Sequence, residues 1–95
     1  MLKWKGKVAV VTGASNGIGA QIFTDLAKQD ITVIGLARNV DKIKQLIVDA
    51  DLPASTAYAY RCDVSDMESV KDAFSWIEKK FGSIHILVNN AGIGR

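Results

Sequence analysis

From Thr12 to Gly19 the chain reads Thr-Gly-Ala-Ser-Asn-Gly-Ile-Gly, which sets three glycines at G-x-x-x-G-x-G spacing. That spacing suits the holding of a pyrophosphate. Gly13 permits a tight turn, Gly17 lets backbone come close to the phosphates, and Gly19 lets a following helix lie against the strand before it. The helix start then offers free N–H groups and the positive end of a dipole. Gly13, Ala14, Ser15, Asn16, Gly17, Ile18 and Gly19 are therefore the first candidate site, and a dinucleotide suits it. The alternative is a glycine-rich turn that only packs, and the strand before it and helix after it weigh against that reading. No Gly-Lys-Ser or Gly-Lys-Thr follows, so this is not the phosphate loop of nucleoside triphosphatases.

Three further polar points follow. Arg38-Asn39 begins nineteen residues after Gly19. Folds selective for NAD place Asp or Glu at about that distance to hold the ribose 2′-hydroxyl, whereas the planar donors of an arginine pair with a 2′-phosphate. NADP is favoured over NAD, against the plain alternative of a solvated surface arginine. Asp63 can accept from an adenine amino group while Val64 supplies an apolar wall, or it can be a simple turn aspartate. Asn90-Ala91-Gly92 can bring amide and backbone groups to a ribose, with Asn89 bracing neighbouring loops, although an Asn-Asn pair is also turn chemistry. Their joint occurrence carries the weight.

The elements that must place these residues alternate between short buried-strand runs and helical spacing, which predicts β and α units around a parallel sheet. Lys7-Val8-Ala9-Val10-Val11 is a β-branched run stopping at Thr12-Gly13, hence a first strand buried on both faces. A first helix is predicted from Gly17 to about Gln29, with Ile18, Ile22 and Leu26 on one apolar face. A second strand runs from Ile31 to Ala37. The second helix starts at about Val40 and turns Ile43, Leu46, Ile47 and Ala50 inward until Pro53 forbids more helix. Thr56 to Cys62, with Tyr58 and Tyr60 in alternation, reads as a third strand. Ser65-Asp66-Met67-Glu68 has the form of a capping box, opening a third helix whose inner face is Val70, Ala73, Phe74, Ile77 and Phe81, and Gly82 ends it. Ile84 to Val88 is a fourth strand. The right-handed crossover rule then gives strand order 3-2-1-4, with helices one and two on one face and helix three on the other. Ligands of such sheets gather beyond the carboxyl ends of the strands, where every polar point above stands.

Composition sets the outer bounds. At 95 residues, 48% of them apolar and 23% charged, the chain is at most one domain of a globular kind. Twelve Lys and Arg against ten Asp and Glu leave a formal +2 in scattered positions, which motivates neither a nucleic-acid nor a membrane partner. Lys3, Lys5 and Lys7 form the one local basic cluster and read as a solvated edge. Cys62 and His85 are the single cysteine and histidine, so neither an internal disulfide nor a zinc-type cluster is available. No metal is expected, and a reduced, cytoplasmic setting is. No apolar run approaches the roughly 20 residues of a membrane helix, and the charged start lacks the apolar stretch of a secretory signal. Cys62 reads as a small buried hydrophobe, and Trp4, Phe74 and Trp76 as packing residues.

In order and spacing, Thr12-Gly13-x-x-x-Gly17-Ile18-Gly19, Asp63-Val64 and Asn89-Asn90-Ala91-Gly92 resemble the N-terminal part of a short-chain dehydrogenase/reductase over essentially all 95 residues. Trp4-x-Gly6-Lys7-Val8-Ala9-Val10-Val11 with Gly35-Leu36-Ala37-Arg38 is most similar to a member 11-like subgroup of that family, including insect farnesol-dehydrogenase-like members. The resemblance implies a Rossmann-like sheet and hydride transfer between a nicotinamide cofactor and an alcohol or carbonyl. It implies that Gly13 to Ile18 surround the pyrophosphate and adenosine ribose, with Ser15 and Arg38 near a 2′-phosphate, Asp63 and Val64 on adenine, and Asn90 on a ribose. Asn16 departs from members that place a basic residue just before the second glycine, which leaves most of the NADP preference to Arg38. His85 stands where an aspartate is common, with little expected effect on chemistry.

The family's reaction also requires a serine and a tyrosine-x-x-x-lysine pair beyond the Asn-Asn-Ala-Gly motif, and none is found there. Tyr58 is followed four places on by Cys62 and Tyr60 by Val64. Residues 1–95 are therefore expected to be the cofactor-binding part of a single domain, inactive alone. The absent half would supply the substrate site, the acid/base groups and a homo-oligomer surface. The apolar edge Ile84-His85-Ile86-Leu87-Val88, which needs a covering strand or subunit, agrees with that expectation. Two other readings stay open. One is a truncated, non-catalytic nucleotide-binding or interaction module; the other is a different Rossmann enzyme such as a methyltransferase, disfavoured by the glycine spacing and by the lack of an acid after the second strand.

Overall fold

The computed structural model describes residues 6–90. Its elements run β1 (Val8–Thr12), α1 (Gly17–Ala27), β2 (Thr32–Ala37), α2 (Val40–Asp49), β3 (Ala57–Arg61), α3 (Met67–Phe81) and β4 (Ile86–Asn89). Every strand pairing is parallel and the order is β3-β2-β1-β4, the doubly wound α/β sheet that the alternating periods predict. β1 is buried at all five positions, because it is central in the sheet and covered on both faces. Trp4, Lys3, Lys5, Ala91 and Gly92 lie outside the described residues.

Two cores lie on opposite faces of the sheet. Ala9, Val11, Val33 and Ala57 meet Phe23, Ala27 and Ile43 of α1 and α2 on one face. Val8, Val10, Ile34 and Leu36 meet Ala73 and Ile77 of α3 on the other. Phe74, Trp76 and Tyr60 pack at the margin of that second core as expected. Tyr60 stacks on Trp76 with ring centroids 4.4 Å apart, and its hydroxyl donates to Asp72 Oδ2 at 2.9 Å. Both tyrosines of β3 are thus packing residues of a strand.

Several details differ from the sequence reading. The buried line of α1 is Gly19, Phe23 and Ala27, with Ile22 and Leu26 only half-buried at its flank and Ile18 exposed at 72%. The start of the helix lies too close to the glycine turn for any side chain at its first contact: a Cβ on Gly19 would collide with the Gly13 carbonyl and lie 2.5 Å from Asn90 Nδ2. The Ser65 capping box does not form. Asp66 is the N-cap of α3 and its carboxylate accepts from the Glu68 N–H at 3.0 Å, while the Ser65 hydroxyl donates instead to Asp63 Oδ1 at 2.6 Å. Pro53 is not what stops α2. The Leu52 N–H reaches Ile47 O and the Asp51 N–H reaches Val48 O, both across a left-handed Asp51 at φ 53°. That is the bond pattern of a Schellman closure, and it folds Leu52 and Ile47 onto the same core.

Strand ends are set by the ladder and not by the apolar run. β1 includes Thr12, which pairs with Leu36 and Asn89, while Ile31 is buried ahead of β2, and Thr56 and Cys62 flank β3 outside it. β4 begins at Ile86 because His85 closes it differently. The His85 N–H donates to Val8 O at 2.8 Å, and the Val8 N–H donates to His85 Nδ1 at 3.0 Å, so an imidazole stands where a ladder carbonyl would. α1 likewise ends at Ala27, two residues before Gln29.

Candidate functional site

A cavity of about 880 Å³ opens beyond the carboxyl ends of β1, β2 and β3. It falls within the roughly 300–1,000 Å³ usual for small-molecule sites. The turn after β1 forms its floor. Gly13 at φ 65° and Gly17 at φ 54° take backbone conformations that L side chains rarely adopt, which is the local reason for glycine at both places. The Gly13 and Ala14 N–H groups donate to Leu36 O, and Asn90 Nδ2 donates to Gly13 O at 3.4 Å, so β2 and the end of β4 hold the turn from either side.

The first α-helical bond of α1 runs from the Ala20 N–H to Asn16 O. Asn16 is the N-cap, but its side chain makes no capping bond. Its Oδ1 accepts from Lys42 Nζ at 2.9 Å and its Nδ2 faces Ser15 Oγ at 3.4 Å. The amides of Gly17, Ile18 and Gly19 precede that first bond without a side-chain cap. A helix start in this state, next to an open cavity, fits an anionic phosphate group.

Of the residues singled out in the sequence, Gly13, Ser15, Asn16, Arg38, Asn39, Asp63 and Val64 line the cavity. Gly17, Ile18 and Gly19 lie at the adjoining helix start. Ala14 is fully buried under the sheet, so its methyl group packs in the α1 core and does not border the cavity. Asn90 is brought to the glycine turn. Asn89 braces β1 and not a loop, accepting from Thr12 Oγ1 at 3.1 Å. Lys42, and Ser65, which the sequence reading gave only a capping role, also border the cavity. Lys42 is in the first turn of α2, four places after Arg38, and the signal that finds it is projection of that turn onto the strand ends.

The cavity holds an ionised carboxylate. The Ser65 hydroxyl, then the Ser65 N–H at 3.0 Å, hydrogen-bond Asp63 and keep its carboxyl below the ordinary value of 3.8; Arg38 and Arg61 add a smaller pull in the same direction. Burial pushes the Cys62 thiol up, and its S–H points to Ser69 O at 3.8 Å. It is an inert thiol at the cavity wall, in keeping with a small hydrophobe. Among the described residues no three His, Cys, Asp or Glu side chains are grouped as a metal site, and no helix is long and apolar enough to cross a membrane.

A parallel sheet of this order, with a glycine turn feeding an uncapped helix, defines the Rossmann-like class of α/β proteins. The model of the short chain dehydrogenase family matches residues 7–95, and the chain belongs to that family. Farnesol dehydrogenase of Aedes aegypti is 55% identical over all of this chain and 39% of its own length. Dehydrogenase/reductase SDR family member 11 of Homo sapiens is 40% identical over all of this chain and 37% of its own. A solved metagenomic short-chain oxidoreductase in complex with NADP superposes with a TM-score of 0.86 at 36% identity, covering 95% of this chain and 41% of that one. The chain thus spans about two fifths of the length of these relatives.

Proposed function

We propose that this chain is the cofactor-binding portion of an NADP-dependent oxidoreductase that interconverts small-molecule alcohols and carbonyls. The observation that carries the reading is the cavity at the strand ends, where an uncapped helix start and the exposed Arg38 guanidinium stand on neighbouring walls. In this reading the glycine turn and the α1 start, with the amides of Gly17, Ile18 and Gly19, hold the pyrophosphate, and Arg38 with Ser15 holds the 2′-phosphate. Asp63 and Val64 bound the adenine, Asn39 closes the same wall, and Asn90, Ala91 and Gly92 reach the ribose. The bound dinucleotide supplies the hydride chemistry. What this chain's residues do is bind and orient it: the α1 dipole and amides fix the diphosphate, and the Asp63 carboxylate, ionised at neutral pH, accepts from the adenine amino group.

The substrate groups, the proton-transfer residues and a homo-oligomer surface belong, in this proposal, to the part of the relatives' length that residues 1–95 do not span. A cytoplasmic location is part of the same reading. The test is Arg38→Asp in the full-length protein. NADPH affinity falls about tenfold or more while NADH affinity holds or improves, as expected for loss of a charge-assisted fork. Equal loss of both cofactors overturns the NADP assignment. Cofactor binding with no turnover of any alcohol or carbonyl supports instead a non-catalytic nucleotide-binding module.

A further inference from the structure

We infer that Lys42 is a second 2′-phosphate ligand, held over the cavity by Asn16, and that the pair Arg38 and Lys42 rather than Arg38 alone sets the preference for a phosphorylated ribose. The inference rests on the dinucleotide reading above and deepens it. Lys42 lines the same cavity as Arg38 and is attached to a different element, so the two cations approach from the end of β2 and from the first turn of α2.

Three features of Lys42 need a reason. A cation in the first turn of a helix opposes the dipole, a cost of about 0.3–1 kcal/mol at an exposed site. Holding a lysine side chain in one place also costs rotamer freedom. Yet Nζ is held at 2.9 Å from Asn16 Oδ1, on a residue 26 positions away that lines the same cavity. Asn16 in turn forgoes the capping bond that an N-cap asparagine ordinarily makes to its own helix. The α1 start is thereby left open and the ammonium is placed beside it. An Asn accepts only one of the three donors of an ammonium, so the rest remain available to an anion. Among the charged side chains lining the cavity, Arg38 and Lys42 stand against Asp63 alone, and both donors of Ser65 go to Oδ1 of Asp63. The charged lining is therefore net positive, and Lys42 places one of its two cations beside Asn16.

The experiment measures NADPH and NADH dissociation constants of the purified full-length protein and its variants, with 2′,5′-ADP and 5′-AMP as competing probes. Lys42→Met weakens NADPH and 2′,5′-ADP about tenfold and leaves NADH and 5′-AMP within about twofold. Lys42→Arg keeps the preference. The double variant Lys42→Met with Asn16→Lys restores it, because the charge returns to the same place from the other wall. A lysine that only ties α2 to the glycine turn would weaken all four ligands alike and would not be rescued, and that outcome overturns the inference while leaving NADP selectivity standing. If the unaltered protein binds NADPH no better than NADH, the cofactor assignment itself fails and this inference with it.

Discussion

At the scale of single residues, the polar side chains at the strand ends are arranged by hydrogen bonds that sequence spacing does not disclose. Ser65 is the clearest case. Its position suggests a helix cap, yet it spends both donors on Asp63, and Asp66 caps α3 in its place. The consequence can be titrated. Because the folded carboxyl of Asp63 lies below its ordinary value, the ionised form favours the folded state at and above pH 3.8, and that contribution is lost as pH falls below 3.8 through the lowered value. Ser65→Ala removes the largest cause and moves the Asp63 titration up toward 3.8, read by side-chain carbon NMR. An unmoved midpoint in the variant would assign the lowering to the backbone N–H and the two arginines.

At the scale of elements, the helices were legible as helices, but not in every case the face they bury or the way they stop. The three-and-four spacing of Ile18, Ile22 and Leu26 is real, yet the close approach of α1 to the sheet selects the smaller line of Gly19, Phe23 and Ala27. The same tightness shows from the sheet side, where a Cβ on Gly35 would sit 3.0 Å from both Ala14 Cβ and Phe23 Cε1. Termination of α2 is likewise a backbone event, with Asp51 at φ 53° closing the helix before Pro53 is reached. A side chain pays for that conformation where glycine does not. Asp51→Gly therefore stabilises the protein by about 0.5–1 kcal/mol, the left-handed penalty less the extra chain entropy of glycine, measured as a higher denaturant midpoint at constant slope.

At the scale of the molecule, the sheet is covered unevenly. β4 is an edge strand, and Leu87 on its α3 side is 56% exposed although Val10 beside it in β1 is fully buried. Next to it lies a hollow of about 210 Å³ lined mainly by Leu36, Val64, Val70, Phe74 and Leu87. An apolar edge with open backbone groups recruits another strand, in agreement with the proposal that further chain completes this sheet in the whole protein. Residues 1–95 expressed alone are therefore expected to self-associate, seen by light scattering across a concentration series, and Leu87→Lys to reduce the effect. A monomer that unfolds cooperatively would count against the proposal.

By itself the sequence determined the element order, the parallel 3-2-1-4 sheet and the glycine turn at its carboxyl edge. Hydrophobic period, β-branching and the need for glycine at positive φ are properties of a residue and its near neighbours, so they can be read along the chain. Only the tertiary structure decided that Ala14 packs in the core, that His85 completes a ladder with Val8 from 77 positions away, and that Lys42 reaches Asn16 over the cavity. Those outcomes depend on which distant groups folding brings within 3 Å or so, and on how closely backbones approach, quantities that no local pattern encodes.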